Sequence, residues 1–485
     1  MKTCRTLILV LAMAFCMASC TKTEKEEEQS LSVSPISLTF SKEGGSQPIT
    51  INSSGNWTSS TVGNWIKLNP GSGSSTVKTV EVTVSSNMEE AREGTITIAS
   101  GIRTAVVKIS QEAGYADDDI KKVSIAEFRR LKDSETDWYR LTGEVVSISK
   151  VEYGDLYLLD DTGYVYVYGL APEKGGVNED FAKAGIKAGD RITIVAQKKT
   201  YNGIIETDQA YLEARQAGSY PGINADKAQA GFIELPATSE RDGLTYVCHF
   251  DNKGKRNYSA YFDREKKVSN WVCYPYCSSD RNDARPDSYA YDPLLENDCQ
   301  ADLTKSYQKR NFDGEEFVRG HMMPSASRSG RRQLDAFLAT NIMPQSSAIN
   351  TGIWSSLEEK ERFWVNNCDT LYIVVGTDCS QSKYQVEDNA EPAKKITVPN
   401  GIYRAVLAYD KEKGSYVGIA AYFENKKNAY TDFTKTLPET MLMSIDKLEE
   451  KVGIDFFVNL PSVVGESEAK AIEAADPASE AFWWN

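Results

Sequence analysis

The chain has 485 residues, with 55 Lys+Arg against 69 Asp+Glu, a formal net charge of −14, and two histidines, His249 and His321. At roughly 100–200 residues per domain this length implies two to four domains, and a hydrophobic share of 41% excludes wholesale disorder. The two histidines lie 72 positions apart, which excludes the helical HExxH zinc motif and any His-rich metal cluster. The acidic balance excludes coating of nucleic acid through global charge, so any anion-binding function must be local.

At the N-terminus, Lys2 and Arg5 precede an apolar run from Leu7 to Ala18. That run is shorter than the roughly 20 residues a membrane-spanning helix needs, and it reads as an export signal. It ends in Met17-Ala18-Ser19-Cys20. This resembles a bacterial lipoprotein lipobox, with residues 1–19 as signal peptide and Cys20 as the lipidated residue; Met17 stands where Leu is usual. Residues 20–30, with Glu24, Glu26, Glu27 and Glu28, form a solvated tether. Acidic residues at this place resemble the surface-export signal of Bacteroidetes lipoproteins. The resemblance implies an outer membrane lipoprotein exposed at the cell surface, with the lipid as its only membrane anchor.

Residues 31–113 alternate apolar and polar in short runs, such as Val80-Glu81-Val82-Thr83-Val84 and Gly94-Thr95-Ile96-Thr97-Ile98. Short strands at this spacing predict an antiparallel β-sandwich. The order Trp57, Asn64-Trp65-Ile66, Arg92 to Ile98 and Val107 to Gln111 resembles a BACON domain, which implies that the β-sandwich is Ig-like. The family name implies glycan binding, for which the two tryptophans could stack on sugars; the reading preferred for them is core packing in a spacer. After Asp117-Asp118-Asp119, residues 118–216 follow a strand–turn–strand pattern with a Gly189-Asp190 turn into Arg191-Ile192-Thr193-Ile194. This predicts an OB-like β-barrel. Its Tyr157, Tyr164, Tyr166 and Tyr168 could stack single-stranded bases, although Asp155, Asp160 and Asp161 would repel phosphate. A Gly/Ala/Pro/Ser-rich linker at 217–230 closes the barrel.

The third region, 231–485, holds both histidines and six cysteines: Cys248, Cys273, Cys277, Cys299, Cys368 and Cys379. An even number in an exported domain predicts disulfides. Cys368 and Cys379 flank a strand and would stand about 30 Å apart at roughly 3.3 Å per residue, so that pair is excluded. Glu316-Phe317-Val318 reads as a strand entering Arg319-Gly320-His321, residues 336–342 as a second strand, and Trp354 to Val365 as an amphipathic helix. The result is a β-β-α unit. Hydrolysis of a phosphodiester needs an activated water, a cation and local positive groups. Neutral imidazole can take the proton, and an amide oxygen is a hard, neutral ligand for Mg²⁺. Residues 305–332 contain Lys305, Lys309, Arg310, Arg319, Arg328, Arg331 and Arg332 against Asp313, Glu315 and Glu316, a local phosphate field around His321.

These residues resemble the DNA/RNA non-specific endonucleases, a family with a ββα-metal (His-Me) finger. The chain has Arg319-Gly320-His321, Asn341-Ile342-Met343-Pro344-Gln345 and Asn350-Thr351-Gly352-Ile353-Trp354-Ser355-Ser356-Leu357-Glu358, with Arg285-Pro286-Asp287 upstream. The resemblance implies an α+β nuclease domain over 231–485 and a Mg²⁺- or Mn²⁺-dependent endonuclease acting on DNA and RNA, leaving 5′-phosphate ends. It implies His321 as general base, Asn350 as metal ligand, and Glu358 as the carboxylate orienting metal-bound water. Asn341 and Arg319 match further motif positions, and Arg285 an upstream phosphate-binding arginine. Val318 departs from the motif, which has Asp there. Alone, Asn350 would most often cap a helix, and His249, in an apparent strand, reads as structural. Two other functions remain: an adhesive or glycan-binding lipoprotein with an inactive nuclease-like domain, and a nucleotide phosphodiesterase of the same fold.

Overall fold

A computed structural model describes residues 30–484 except 75, 88–89, 115–119, 226–227, 229–230, 239–242, 281–284 and 428–440. The export signal and Cys20 lie outside the described residues. The chain divides into two compact units, with the boundary after Glu112.

In the first unit two sheets share one core. One has the strand order Leu31–Ser34, Gly45–Ser53, Thr76–Val84, Ile66–Asn69; the other runs Ser37–Phe40, Arg103–Gln111, Arg92–Ser100, Trp57–Val62, Ser72–Gly73. Alternation sets the inner faces: Ile49 and Ile51 oppose Ile96 and Ile98, and all four are buried. Trp57 is a core residue, 1% exposed. Trp65 is half-buried, with the Arg92 guanidinium 4.4 Å from its ring centroid. Both tryptophans therefore serve packing.

The second unit begins with a barrel of five strands: β1 (Tyr139–Lys150), β2 (Asp155–Asp160), β3 (Gly163–Val167), β4 (Arg191–Tyr201) and β5 (Ile204–Gln216). They close in the order β1-β2-β3-β5-β4-β1. Three of its four tyrosines are not an open platform. Tyr157 is 4% exposed and shares a small core with Val146 and Leu334, flanked by Tyr164 and Tyr166. Leu334 belongs to the next region, so this face of the barrel is already occupied.

That region is built on an eight-stranded antiparallel sheet. Its strands are Gly222–Ala225, β6 (Leu244–Phe250), β7 (Arg256–Asp263), β8 (Val268–Tyr276), β11 (Leu371–Asp378), β12 (Gly401–Asp410), β13 (Ser415–Glu424) and Leu442–Met443. Both faces are covered, so the central strands read as continuous apolar runs. One face packs on helices Ile445–Val452 and Glu466–Ala474 through Tyr403, Ile445, Leu448 and Ile472. The other face carries the chemistry-bearing segment: β9 (Glu315–His321), β10 (Ile342–Ser346) and helices Arg331–Asp335, Ser347–Thr351 and Ile353–Trp364.

Three expectations are corrected here. The second strand of the β-β-α unit is Ile342–Ser346; residues 339–341 form a turn of 3₁₀ helix. Pro344 lies within β10, which is the edge of its three-stranded sheet, where a residue lacking an N–H is tolerated. The six cysteines are free thiols. Cys248 and Cys273 both flank Ser259, two strands apart at one register, roughly 9–10 Å and beyond bridging range. The others are engaged locally: Cys277 Sγ lies 3.4 Å from Thr370 Oγ1, and Cys299 donates to the Glu296 carbonyl at 3.1 Å. Finally, the basic window is largely structural. Arg328 is fully buried and donates to Asn257 Oδ1 at 2.8 Å and to the Pro275 carbonyl at 2.7 Å. Arg332 pairs with Asp280 at 2.8 Å, and Arg331 with Glu144 of the barrel. Lys309 and Arg310 pair with Glu387 and Glu316.

Candidate active site

Strand β9 delivers its last residues to a cavity of about 470 Å³ lined by Arg285, Arg319, His321, Asn350 and Glu358, together with Ser325, Thr351 and Ser355. The cavity brings together five of the six residues assigned to catalysis and metal binding from the motifs. The register that aims them is fixed by β10, with Arg319 opposite Pro344 and His321 opposite Ile342. Gly320 is required between them, because a Cβ there would lie 2.6 Å from Gln345 Cβ.

His321 is held by aromatic edges: its ring is T-shaped against Phe337, with centroids 4.6 Å apart, and tilted against Tyr289 at 5.8 Å. Its Nε2 is enclosed and has no hydrogen-bond partner among the described residues. Burial disfavours the imidazolium, and the positive charges of Arg285 and Arg319 add to this, so its pKa is pushed down to about 3. The ring is therefore neutral at physiological pH. The Arg319 guanidinium lies 3.6 Å from the centroid of the Tyr289 ring and donates to the Leu303 carbonyl at 2.6 Å. Arg285 is exposed and lies 6.0 Å from the Phe337 centroid.

Asn350 sits within the short helix Ser347–Thr351, while the N-cap of the following helix is Gly352. The capping role open to an isolated asparagine is not taken here. Glu358 projects from the second turn of that helix. Its burial pushes the carboxyl up to about 7 against the pull of Arg404. Arg404, fully buried on β12, donates to Glu361 Oε1 at 2.5 Å, to the Met322 carbonyl at 3.0 Å and to Glu358 Oε1 at 3.3 Å. It thus ties Glu358 to the residue that follows His321. Neither Arg404 nor Glu361 belongs to a motif. Glu361 could have been suspected, because it stands one turn after Glu358 on a helix face that must be buried. Arg404 is distant in sequence and carries no local signal.

Asn341 lies behind the cavity. Its Oδ1 accepts from the Met323 N–H at 2.8 Å, and its Nδ2 donates to the Met323 and Ala336 carbonyls at 2.9 and 2.7 Å. It clamps the loop after His321. Val318 faces Gln345 in the strand pair and does not line the cavity.

The donor set is informative about metals. Among the described residues no group of three or more His, Cys, Asp and Glu side chains could hold an ion. A tetrahedral zinc site is thus absent from those residues, whereas one amide oxygen and a nearby carboxylate suit a hard cation that keeps most of its waters.

Residues 242–463 match the family model of the DNA/RNA non-specific endonucleases. This stretch is similar to a DNA/RNA non-specific endonuclease domain. Residues 55–112 match the model of the N-terminal BACON domain. A protein named Nuclease from a Nostoc species is 29% identical over 228 residues, covering 44% of this chain and 77% of its own length. The mitochondrial nuclease EXOG of Xenopus laevis is 26% identical over 219 residues; the match covers 42% of this chain and 57% of that protein. Among solved structures, a chain from the EndoG/EndoGI complex aligns over 47% of this chain and 88% of its own, at 16% identity and a TM-score of 0.33.

Proposed function

We propose that the protein is a metal-dependent, sugar-non-specific endonuclease that hydrolyses phosphodiester bonds of DNA and RNA at the cell surface, anchored through Cys20. The observation that carries this reading is the convergence of His321, Arg319, Arg285, Asn350 and Glu358 on one cavity, inside a region that matches the nuclease family. Arg285 and Arg319 place two positive charges where a phosphate would dock. His321, kept neutral by burial and by those arginines, takes a proton from the attacking water. Asn350 would hold a divalent cation, Mg²⁺ or Mn²⁺, with Glu358 orienting its water shell. When bound, the ion supplies charge stabilisation at the phosphate and the leaving oxygen.

The lipid anchor and surface exposure rest on the lipobox-like sequence and the acidic tether. Digestion of extracellular nucleic acid is the role that fits them. The test is cleavage of plasmid DNA and of RNA by the protein from residue 21 onward, with Mg²⁺ or with EDTA. Cleavage abolished by EDTA and by His321→Ala is expected; equal activity of wild type and His321→Ala would overturn the assignment. Parallel assays on mononucleotide esters separate an endonuclease from a nucleotide phosphodiesterase.

A further inference from the structure

The barrel contains a second cavity, of about 700 Å³, that shares no lining residue with the nuclease cavity. Its volume is within the roughly 300–1,000 Å³ typical of small-molecule sites. Its wall is aromatic: Trp138, Tyr168 and Tyr211 line it. Trp138 and Tyr211 lie 5.9 Å apart and pack on Ala171 and Val195. Tyr168 is 48% exposed, in contrast to the tyrosines buried against Leu334.

The backbone beneath is fixed. The loop after β3 is tied to β5 by Ala171 N–H to the Ala210 carbonyl at 2.9 Å and by Leu212 N–H to the Ala171 carbonyl at 2.9 Å. Beside this tie, β5 bulges against β4: Val195 faces Tyr211 while Gln197 faces Asp208, so Gln209 and Ala210 together oppose one residue. The bulge sets Gln209 at φ +51°, a left-handed conformation that costs a side-chain-bearing residue energy and that asparagine or glycine would fill with less strain. Bulges of this kind re-aim a side chain, and Gln209 lines the cavity.

We propose that this cavity is a binding site for a neutral saccharide. Aromatic faces stack on the C–H faces of pyranose rings, and the amides of Gln209 and Asn178 each offer a donor and an acceptor to vicinal hydroxyls. The charge around the cavity argues against a phosphodiester chain. Glu179 and Asp208 line it with Lys174, and Lys199 pairs with Asp208 at 3.5 Å, so a polyanion would meet no net positive charge there. The saccharide is therefore uncharged, and the barrel acts as an attachment module independent of the nuclease site.

The test is native electrophoresis of the complete protein through gels containing soluble glucans, xylans, mannans or galactans, followed by fluorescence titration with the matching oligosaccharides. Retardation by at least one polysaccharide is expected, with affinity lowered tenfold or more by Trp138→Ala and by Tyr168→Ala. Gln209→Gly should weaken binding while leaving Tm unchanged or higher, because glycine accepts the positive φ. DNA cleavage should be unaltered in all three variants. Tyr168→Ala, at an exposed position, keeps the test valid if Trp138→Ala does not fold. The proposal is overturned if no polysaccharide retards the protein, if retardation survives both aromatic substitutions, or if Trp138→Ala and Tyr168→Ala abolish binding of single-stranded oligonucleotides rather than sugars.

Discussion

The surroundings of the two histidines form opposite electrostatic designs. His249 is fully buried with its Nε2 2.9 Å from Asp292 Oδ2, its Nδ1 3.1 Å from the Tyr220 hydroxyl, and its ring stacked on Tyr258 at 4.4 Å. Asp292 is buried too, and burial alone would raise its carboxyl; His249, Thr340 and the Leu294 N–H outweigh that and lower it. Both ring nitrogens there stand within 3.1 Å of another protein group. Around His321 the neighbours are aromatic edges and two guanidinium groups, with Nε2 unengaged among the described residues. The contrast teaches that a nearby carboxylate makes a histidine part of the framework, whereas burial beside cations keeps it neutral.

The comparison breaks most sharply by substitution. His321→Ala should lower DNA cleavage about 10²–10⁴-fold while the urea midpoint barely moves. His249→Ala should do the reverse. It leaves the buried Asp292 carboxylate with Thr340 and the Leu294 N–H but without its ring partner, a loss of about 1–3 kcal/mol, read as a lower urea midpoint, with the remaining folded protein still cleaving. Equal effects of both substitutions on both measurements would erase the distinction. A subtler probe is pH. With its pKa near 3, His321 should give no acid limb in kcat/KM near 6.5. Arg285→Gln removes one of the charges that hold the value down, so the ratio of kcat/KM at pH 5 to that at pH 8 should fall below the wild-type ratio. The smallest effect concerns the framework. Burial would raise the Asp280 carboxyl, but Arg332, Lys255 and Arg328 bring it down to about 2. A depressed carboxylate stabilises the fold fully above its ordinary value near 4, and that contribution is lost as pH falls toward 2. Asp280→Asn should flatten the dependence of the urea midpoint on pH in that window.

The cavity was legible because its members sit in short ordered motifs. Arg319 and His321 leave one strand together, and Asn350 and Glu358 are eight positions apart across a helix start. What was not legible depends on contacts across sequence. The charges of Arg328, Arg331 and Arg332 suggested a phosphate field, yet their partners Asn257, Glu144 and Asp280 come from distant segments. Asn341 looked catalytic by its place in a motif, but the loop it clamps is visible only once folded. The alternating residues of the first unit sorted its two inner faces by sequence alone, since period-two patterning needs no long-range information.

The barrel's packing on Leu334 carries a consequence for how this protein can be divided. Tyr157 is hydrogen-bonded to the backbone of Asp287, two residues from Arg285. Arg331, in the helix that follows the loop of Ser325, is paired with Glu144. The barrel therefore buttresses both segments that flank the catalytic cavity. Excising residues 231–485 as a portable cassette would bare Leu334, strand Arg331 and release the segment carrying Arg285, so the smallest autonomous enzyme should include the barrel.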